Sequence, residues 1–262
     1  LESLTYYVAS MSNFSDDGET LWGAYGYRWR QYFHKDQLDM IVKLLKENPD
    51  DRRAVLQMWD ANKDLARVSK DVPCNTNIYF KIRDGVLNMT VCNRSNDMLW
   101  GAYGANVVHM SVLQELVAHR LGVPVGVYRQ VSDSFHVYLN EVWDKVKHLS
   151  IDVYTPFENI YETFSNYQSS DLFIEHDCLD WEHDRFFNYH PADIIGAANW
   201  VNPCYRDIAV PMAITYYLYK SGKYEEAYAH CDYIIPKDWK NACLSWLRTR
   251  EERRNNHAEK GE

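Results

Sequence analysis

Two strand-like runs joined by a two-residue turn constrain the fold of this chain more than any other feature. Residues 76–83 (TNIYFKIR) and 86–95 (VLNMTVCNRS) alternate β-branched or aromatic residues with polar ones. Asp84 and Gly85 between them are residue types that suit a tight hairpin turn. The sequence therefore predicts an antiparallel hairpin over residues 76–95.

Further elements are predicted on both sides of this hairpin. Upstream, a helix capped by Asp36 is predicted to end near Asn48, and a strand follows over residues 54–59 (AVLQMW). Downstream, apolar residues at helical spacing predict a helix from Asn106 to a stop at Gly122. The run VGVYRQVSDSFHVYL then predicts another strand, and EVWDKVKHL predicts the start of a helix.

The pattern changes after about residue 150. An irregular, aromatic stretch over residues 151–205 precedes three predicted helices, PMAITYYLYKSG, KYEEAYAHCDYII and KDWKNACLSWLRTREERR. The final residues, RTREERRNNHAEKGE, are predicted from their composition to form a solvated, frayed tail. The chain therefore divides into residues 1–150 and a mainly helical extension over residues 151–262.

Composition and charge exclude several classes of function. The chain of 262 residues is 46% hydrophobic and 25% charged, as in ordinary soluble globular proteins. Its net charge of -9 gives no field that would draw it to nucleic acid or to an anionic membrane. No apolar stretch is long enough to span a bilayer, and the first residues lack a leader pattern. We therefore expect a cytoplasmic protein.

The cysteine and histidine patterns favour neither a disulfide framework nor a metal site. The six cysteines contain no C-x-x-C pair. His176, Cys178, His183 and His190 lie close together in the sequence, but their spacing is not that of a metal motif. No metal is predicted, and at least one cysteine is available as a working thiol.

Cys74 is the candidate nucleophile. It follows Pro73 and directly precedes a predicted strand, so it can be presented at a strand end, although a lone cysteine is more often a small buried hydrophobe. Reactivity would require a depressed pKa. Arg94, on the strand that returns toward residue 74, is the candidate positive neighbour that would depress the pKa of this thiol.

Three other polar groups are candidates for ligand binding. Arg52 and Arg53 could bind a phosphate, but adjacent arginines more often form a solvated face. The segment NRSND (93–97) concentrates polar groups at a strand end, where they must be solvated or occupied by a ligand. His136 and Tyr138 alternate with apolar neighbours and are expected on one face of a strand, where such a pair is more often structural.

These segments occur in a familiar order. The series YGYRW (25–29), PDDRR (49–53), PCN (73–75), NRSND with WGAYGAN (93–106) and HVY (136–138) resembles the conserved blocks of thymidylate synthases and the related deoxycytidylate hydroxymethylases. The resemblance covers roughly residues 12–145. It implies an α+β fold with a bent mixed sheet, helices on one face, a nucleotide-binding catalytic core over residues 1–150 and sheet-to-sheet pairing in a homodimer.

The resemblance also implies roles for individual residues. In such an enzyme the nucleophile adds to C6 of the pyrimidine of deoxyuridine monophosphate (dUMP), and 5,10-methylenetetrahydrofolate supplies the carbon that C5 receives. The implied product is thymidylate, and the alternatives are a hydroxymethylated dUMP or dCMP and a nucleotide-binding homologue without turnover. The resemblance implies that Cys74 is the nucleophile, that Tyr25 takes part in the relay of the C5 proton and that Asp97 lies beside the ring and the folate. At the phosphate it implies Arg94 and Ser95 together with Arg52 and Arg53 of the partner subunit. It implies His136 and Tyr138 at the deoxyribose and Asn106 at the base.

Base choice depends on which residue occupies the base-reading position. Counting straight from NRSND places Ala105 there, whereas one extra residue in WGAYGAN places Asn106 there and keeps the following helix in register. An amide can accept from uracil N3–H and donate to O4. The second alignment, with Asn106, is preferred.

The chain also departs from the family pattern. Asn75 stands where synthases usually have histidine, and Asn96 replaces a common cysteine. At both positions the chain resembles the hydroxymethylase and phage-like branches of the family. The family draws a catalytic glutamate and one phosphate arginine from N-terminal segments, and Glu2 is too close to Tyr25 to serve as that glutamate. We therefore expect either a truncated chain or a nucleotide site without full turnover.

Overall fold

The computed structural model describes residues 1–144, 171–173, 179–188, 193 and 199–259. The chain forms two compact units, Leu1–Ile151 and Asp152–Glu262. None of the helices in these described ranges is long and apolar enough to cross a membrane. The functional division into a catalytic core and a C-terminal extension stays a prediction.

A four-stranded mixed sheet forms the centre of the first unit. Its strands run in the order β1 to β4 and comprise Val55–Gln57, Asn75–Arg83, Val86–Asp97 and Val125–His136. β1 and β2, and β2 and β3, pair antiparallel, whereas β3 and β4 pair parallel. Asp84 and Gly85 join β2 to β3 with φ angles of 53° and 76°, as a tight hairpin turn requires. The predicted hairpin is confirmed.

The helices of the first unit comprise α1 (Glu2–Tyr7), α2 (Gln37–Glu47), α3 (Ala61–Asp64) and α4 (Asn106–Leu121). Three of them, α2, α3 and α4, begin or end at a residue with capping chemistry. The Asp36 carboxylate accepts from the backbone N–H groups of Leu38 and Asp39 at the start of α2. Gly122 ends α4 with a φ of 71°, a left-handed conformation that glycine adopts without strain. Both predicted helix boundaries are confirmed.

One apolar core joins the two longer helices of this unit to the sheet. Alternate residues of β3, Leu87, Met89 and Val91, are fully buried and pack with Leu45 of α2 and Val117 of α4. Because α2 and α4 share a core with the same side of β3, they lie on one face of the sheet. The chain therefore has the α+β fold with helices on one face that its sequence predicts.

The second unit is helical in its described part. Its helices comprise α5 (Leu179–Asn188), α6 (Val210–Lys220), α7 (Tyr224–His230) and α8 (Lys237–Glu259). The last three confirm the predicted helices. The side chains of residues 248–256 are mostly exposed, as predicted for a solvated tail, but the predicted fraying is wrong as far as Glu259, because α8 continues to that residue. Stacking of Arg250 on Trp246 and of Arg254 on Tyr224 holds this part of the helix.

Two predicted elements around residue 140 differ from the structure. β4 ends at His136 rather than at Leu139, so Tyr138 lies beyond the strand. A π-helical turn, Leu139–Trp143, begins two residues before the helix predicted for EVWDKVKHL and overlaps its start, and residues 145–149 of that helix lie outside the described residues.

Candidate active site

Cys74 lies at the residue before β2, where three hydrogen bonds tie its segment to β3. The backbone N–H of Arg94 donates to the Cys74 carbonyl at 3.0 Å. The Arg94 guanidinium donates through Nε to the Pro73 carbonyl at 2.9 Å and through Nη2 to the Val72 carbonyl at 3.0 Å. These contacts fix the Cys74 backbone at the open end of the hairpin.

The electrostatic surroundings of Cys74 correct the expected pKa. Burial raises the pKa of this thiol, and the Asp71 carboxylate raises it further, while the charge of Arg94 and a hydrogen bond from Tyr25 lower it. Arg94 is therefore the expected positive neighbour that lowers the pKa of the thiol, but the net shift is upward, so the net depression that reactivity would require is absent. The reason is that the half-buried thiol loses solvation that one exposed arginine, bonded to two carbonyls, does not replace.

Tyr25 and Asp71 complete the immediate surroundings of the thiol. Tyr25 opens a short helical segment, Tyr25–Tyr27, and its hydroxyl hydrogen-bonds with Cys74. Burial, followed by the proximity of Cys74 and Asp71, raises the pKa of Tyr25 far above its ordinary value, so the phenol stays neutral. Asp71 accepts from the Gly23 N–H at 2.8 Å, and burial raises its pKa. Sequence reasoning missed Asp71, although a carboxylate three residues before the candidate nucleophile was a usable signal.

A cluster of buried amides and one carboxylate lies beside Cys74, at the ends of β2 and β3. Asn75 donates through Nδ2 to Asn93 Oδ1. Three acceptor atoms, Asn75 Oδ1, Asn96 Oδ1 and Asp97 Oδ2, are buried and have no hydrogen-bond partner among the described residues. Unpaired buried acceptors cost about 1–3 kcal/mol each, so this cluster suits a polar ligand or water.

The parallel pairing of β3 and β4 places two predicted groups opposite each other. Ser95 pairs with Ser134, and Asp97 pairs with His136. His136 lies 3.1 Å through Nδ1 from the Ser134 carbonyl, and its ring contacts Tyr138 edge-on at 5.2 Å between centroids. The expectation that His136 and Tyr138 share one face of a strand is wrong, because β4 ends at His136, but the two rings are in contact.

Arg52 and Arg53 lie in the connection between α2 and β1, on the surface. Arg53 forms an ion pair with Asp51 of its own chain at 2.6 Å, and its side chain is 79% exposed. Arg52 is exposed as well. Within one chain, then, these arginines are surface groups and do not belong to the buried cluster beside Cys74.

Asn106 is the first residue of α4 and is half-buried. The π-helical segment before it, Met98–Ala105, is interrupted at Gly104, whose φ of -116° and ψ of -122° are not helical. A Cβ at Gly104 would collide with the Leu99 carbonyl oxygen. This irregular turn is compatible with an extra residue in the loop and an undisturbed α4.

Gln130 on β4 is a second residue that sequence reasoning missed. It accepts from Asn96 Nδ2 at 3.0 Å and donates to the Ala102 carbonyl at 3.1 Å, so it links β3 to the loop before Asn106. No local pattern distinguishes it from other polar residues of an alternating strand, because its role depends on parallel pairing across the sheet.

Of the four His and Cys residues that lie close together in the sequence of the second unit, the structure describes His183. His183 lies 3.0 Å through Nδ1 from the Tyr205 hydroxyl, whereas His176, Cys178 and His190 lie outside the described residues. Within the described ranges, no group of three or more His, Cys, Asp or Glu side chains could hold a metal ion.

A family model and sequence relatives indicate one family for this chain. The family model for thymidylate synthase matches residues 5–177. The deoxyuridylate hydroxymethyltransferase of Pseudomonas phage M6 is 42% identical over 259 residues, which cover 95% of this chain and 72% of that protein. The enzyme of the same name from Bacillus phage SP01 is 40% identical, covering 53% of this chain and 39% of that protein. A crystal structure of T4 phage thymidylate synthase is 26% identical, with a TM-score of 0.42, over 49% of this chain and 44% of that one.

Proposed function

Because the chain belongs to the thymidylate synthase family, we propose that it transfers a one-carbon unit to C5 of dUMP and releases 5-hydroxymethyl-dUMP. The observation that carries this proposal is the arrangement around Cys74, a thiol that is fixed at a hairpin end, is hydrogen-bonded to Tyr25 and directly precedes Asn75, whose buried Oδ1 has no hydrogen-bond partner among the described residues. Two relatives, one matched over 95% of this chain, carry the name deoxyuridylate hydroxymethyltransferase.

Cys74 starts the reaction by adding its sulfur to C6 of the uracil ring. The new S–C6 bond moves the electrons of the C5–C6 double bond toward C5 and O4, which makes C5 nucleophilic. Tyr25, kept neutral by its raised pKa, can donate a hydrogen bond to the developing thiolate and later orient the water that removes the C5 proton. After the C5 proton has gone to water, the bond between the transferred carbon and the donor would break with its electron pair leaving on the donor. A water molecule would then supply the hydroxyl group of the product, and loss of the Cys74 sulfur from C6 would restore the ring double bond.

The remaining residues hold the nucleotide. Asn106 reads the base, since its Oδ1 accepts from N3–H and its Nδ2 donates to O4. Arg94 and Ser95 bind the 5'-phosphate, while His136 and Tyr138 bind the deoxyribose hydroxyl. We further propose that the protein is a homodimer in which the exposed Arg52 and Arg53 of one chain reach the phosphate in the partner's site.

The one-carbon donor is 5,10-methylenetetrahydrofolate. The chain offers a fitting group for it, because Asp97 Oδ2 is a buried acceptor that has no partner among the described residues and suits the N–H donors of a reduced pterin. When bound, the donor supplies carbon at the oxidation level of formaldehyde. Asp97 keeps its other oxygen on the Trp100 N–H, so the carboxylate is oriented in advance.

Asn75 favours hydroxymethylation over methylation. A hydroxymethyl product requires a water molecule as the last nucleophile, and Asn75 Oδ1, next to Cys74, is a buried acceptor that can bind and orient this water. Methylation to thymidylate, the leading function from sequence, is the second candidate because the matching family model is that of thymidylate synthase. For either reaction, residues 1–150 would form the catalytic core, and residues 151–262 would form a C-terminal extension of the chain.

Product analysis tests the proposal. With [5-³H]dUMP and methylenetetrahydrofolate, we expect tritium release together with a product 30 Da heavier than dUMP, the mass of an added CH₂O unit. A product 14 Da heavier would identify thymidylate synthesis. Cys74→Ser should bind dUMP in calorimetry but release no tritium. Binding by the complete wild-type protein without any tritium release would replace the enzyme with a nucleotide-binding homologue.

A further inference from the structure

Asn96 and Asn106 direct their amides into the same small space, and Gly101 makes that convergence possible. A Cβ at Gly101 would collide with Asn96 Oδ1 and would lie 3.2 Å from Asn106 Nδ2. Only a residue without a side chain leaves both amides where they are. The end of the Asn106 amide that faces Gly101 is therefore its donor end.

Hydrogen bonds from its Nδ2 hold the Asn96 side chain in place, whereas its Oδ1 is an acceptor that no described residue uses. Its Nδ2 donates to Gln130 Oε1 at 3.0 Å and to Ser132 Oγ at 2.9 Å, which uses both amide hydrogens. Its side chain is buried, with an exposed fraction of 1%, and its Oδ1 has no hydrogen-bond partner among the described residues. The two donated bonds fix the direction of the free Oδ1, which points to the space shared with Asn106.

We propose that Asn96 is a specificity-determining positioning residue that keeps the Asn106 amide in its uracil-reading orientation. In the nucleotide complex, Asn96 Oδ1 accepts directly from Asn106 Nδ2 and leaves the second Nδ2 hydrogen for O4 of the base. Asn106 Oδ1 then faces N3–H of uracil. This inference rests on the proposed function.

The same arrangement disfavours cytosine. An amide turned end for end would donate to the unprotonated N3 of cytosine and accept from its N4 amino group, so Asn106 alone could read either base. In the turned orientation Asn106 Oδ1 would face Asn96 Oδ1, and two buried acceptors would lie together without a hydrogen between them. Asn96 thus rejects dCMP by making the turned amide unfavourable.

Asn96→Ala tests the proposal, with the ratio of dUMP to dCMP affinity as the readout. We expect this ratio, measured by calorimetry and by tritium release from C5 of each nucleotide, to fall by about tenfold or more, the effect of one buried hydrogen bond. Asn96→Asp retains the acceptor toward Asn106, and the Ser132 hydroxyl can turn to donate to the second carboxylate oxygen, so this variant should keep the preference for dUMP. Ser132→Ala, which removes a partner of Asn96 Nδ2 but not the acceptor, should also keep it.

The outcomes separate this inference from the proposed function. If Asn96→Ala weakens both nucleotides equally and leaves the ratio unchanged, Asn96 is only a structural residue and the inference is overturned while the proposed function stands. If the alanine variant is unstable, a preference lost in Asn96→Asp would overturn the inference in the same way. If the wild-type protein binds neither nucleotide, the proposed function fails and the inference fails with it.

Discussion

Arg94 supports Cys74 through the backbone, by a hydrogen bond of 3.0 Å from its N–H to the Cys74 carbonyl. Its guanidinium extends the support to the carbonyls of the two preceding residues. The positive charge lowers the pKa of the Cys74 thiol, but burial raises it more. In the protein without nucleotide, the nucleophile is therefore well positioned and mostly protonated.

The pH dependence of Cys74 alkylation follows from this upward shift. Because the pKa of the folded thiol is above its ordinary value of about 8.5–9, the thiolate is a minority species at neutral pH. We expect the rate of iodoacetamide labelling at Cys74, followed by peptide mass spectrometry, to rise about tenfold per pH unit from pH 7 to pH 9. A plateau below pH 8 would contradict the raised pKa.

Asp71→Asn should make Cys74 more reactive. The Asp71 carboxylate raises the pKa of both Cys74 and Tyr25, and its neutral amide analogue can still accept from the Gly23 N–H. Labelling of Cys74 at pH 7.5 is expected to accelerate several-fold, up to about tenfold for a full pKa unit. Asp50→Asn, at a carboxylate that is 91% exposed, serves as the control and should leave the rate unchanged. Equal rates for both variants would remove Asp71 from the site.

Asp64→Ala should destabilise the protein strongly. Asp64 and Arg28 form an ion pair of 2.7 Å with both side chains fully buried, and Trp22 Nε1 donates to the same carboxylate at 2.7 Å. Removing the carboxylate leaves the Arg28 charge buried without its partner, which costs about 3–5 kcal/mol of unfolding free energy in denaturant titrations.

The matched control for this ion pair is Asp39→Ala. Asp39 pairs with Arg120 at 2.9 Å but is 63% exposed, so its loss should cost about 1 kcal/mol or less. Hydrogen bonds to Asp64 set the pH dependence of the inner pair. Burial raises the pKa of Asp64, but hydrogen bonds from Arg28, Asp60 and Trp22 outweigh it, and the net shift is downward. This contribution to stability is therefore present above pH 4 and is lost as the pH falls through the lowered pKa.

Glu182→Ala tests the second unit. Glu182 is fully buried and accepts from the backbone N–H groups of Val201 and Asn202, as well as from Asn202 Nδ2 at 2.9 Å. Each buried donor left without an acceptor costs about 1–3 kcal/mol, so we expect a fall in melting temperature of at least several degrees. Glu182→Gln keeps acceptor capacity and should cost less, and Glu226→Ala, on the surface, should cost little. Equal melting temperatures for Glu182→Ala and Glu226→Ala would contradict this role.

The sequence predicted the parts of the fold whose signals are local. The Asp84–Gly85 turn, the Asp36 cap and the Gly122 stop depend on residues within a few positions of each other, and all three are confirmed. The Asn96–Gln130 contact joins residues 34 positions apart and depends on parallel pairing, so no local pattern revealed it. The direction of the Cys74 pKa shift was missed because the burial of the thiol depends on the tertiary fold and not on the residues next to it in the sequence.

The two cysteines of the second unit show the same limit. Cys231 and Cys243 have their sulfurs 3.8 Å apart, and both are buried and unoxidised. Their spacing of 12 positions resembles no thiol motif, and they become neighbours only because Cys231 packs against the helix α8 that carries Cys243. Side-chain packing of this kind follows from the fold and not from the pattern.

The mixed strand pairing of the sheet has a consequence for the order in which the site forms. β2 and β3 are joined by two residues, so their pairing closes a very short loop and brings Arg94 to Cys74 early in folding. The parallel pairing of β3 with β4 must wait until the whole of α4 has crossed the sheet, and it alone places Gln130 behind Asn96. A nascent chain would thus position Cys74 before it positions Asn96, the residue that we propose to distinguish uracil from cytosine.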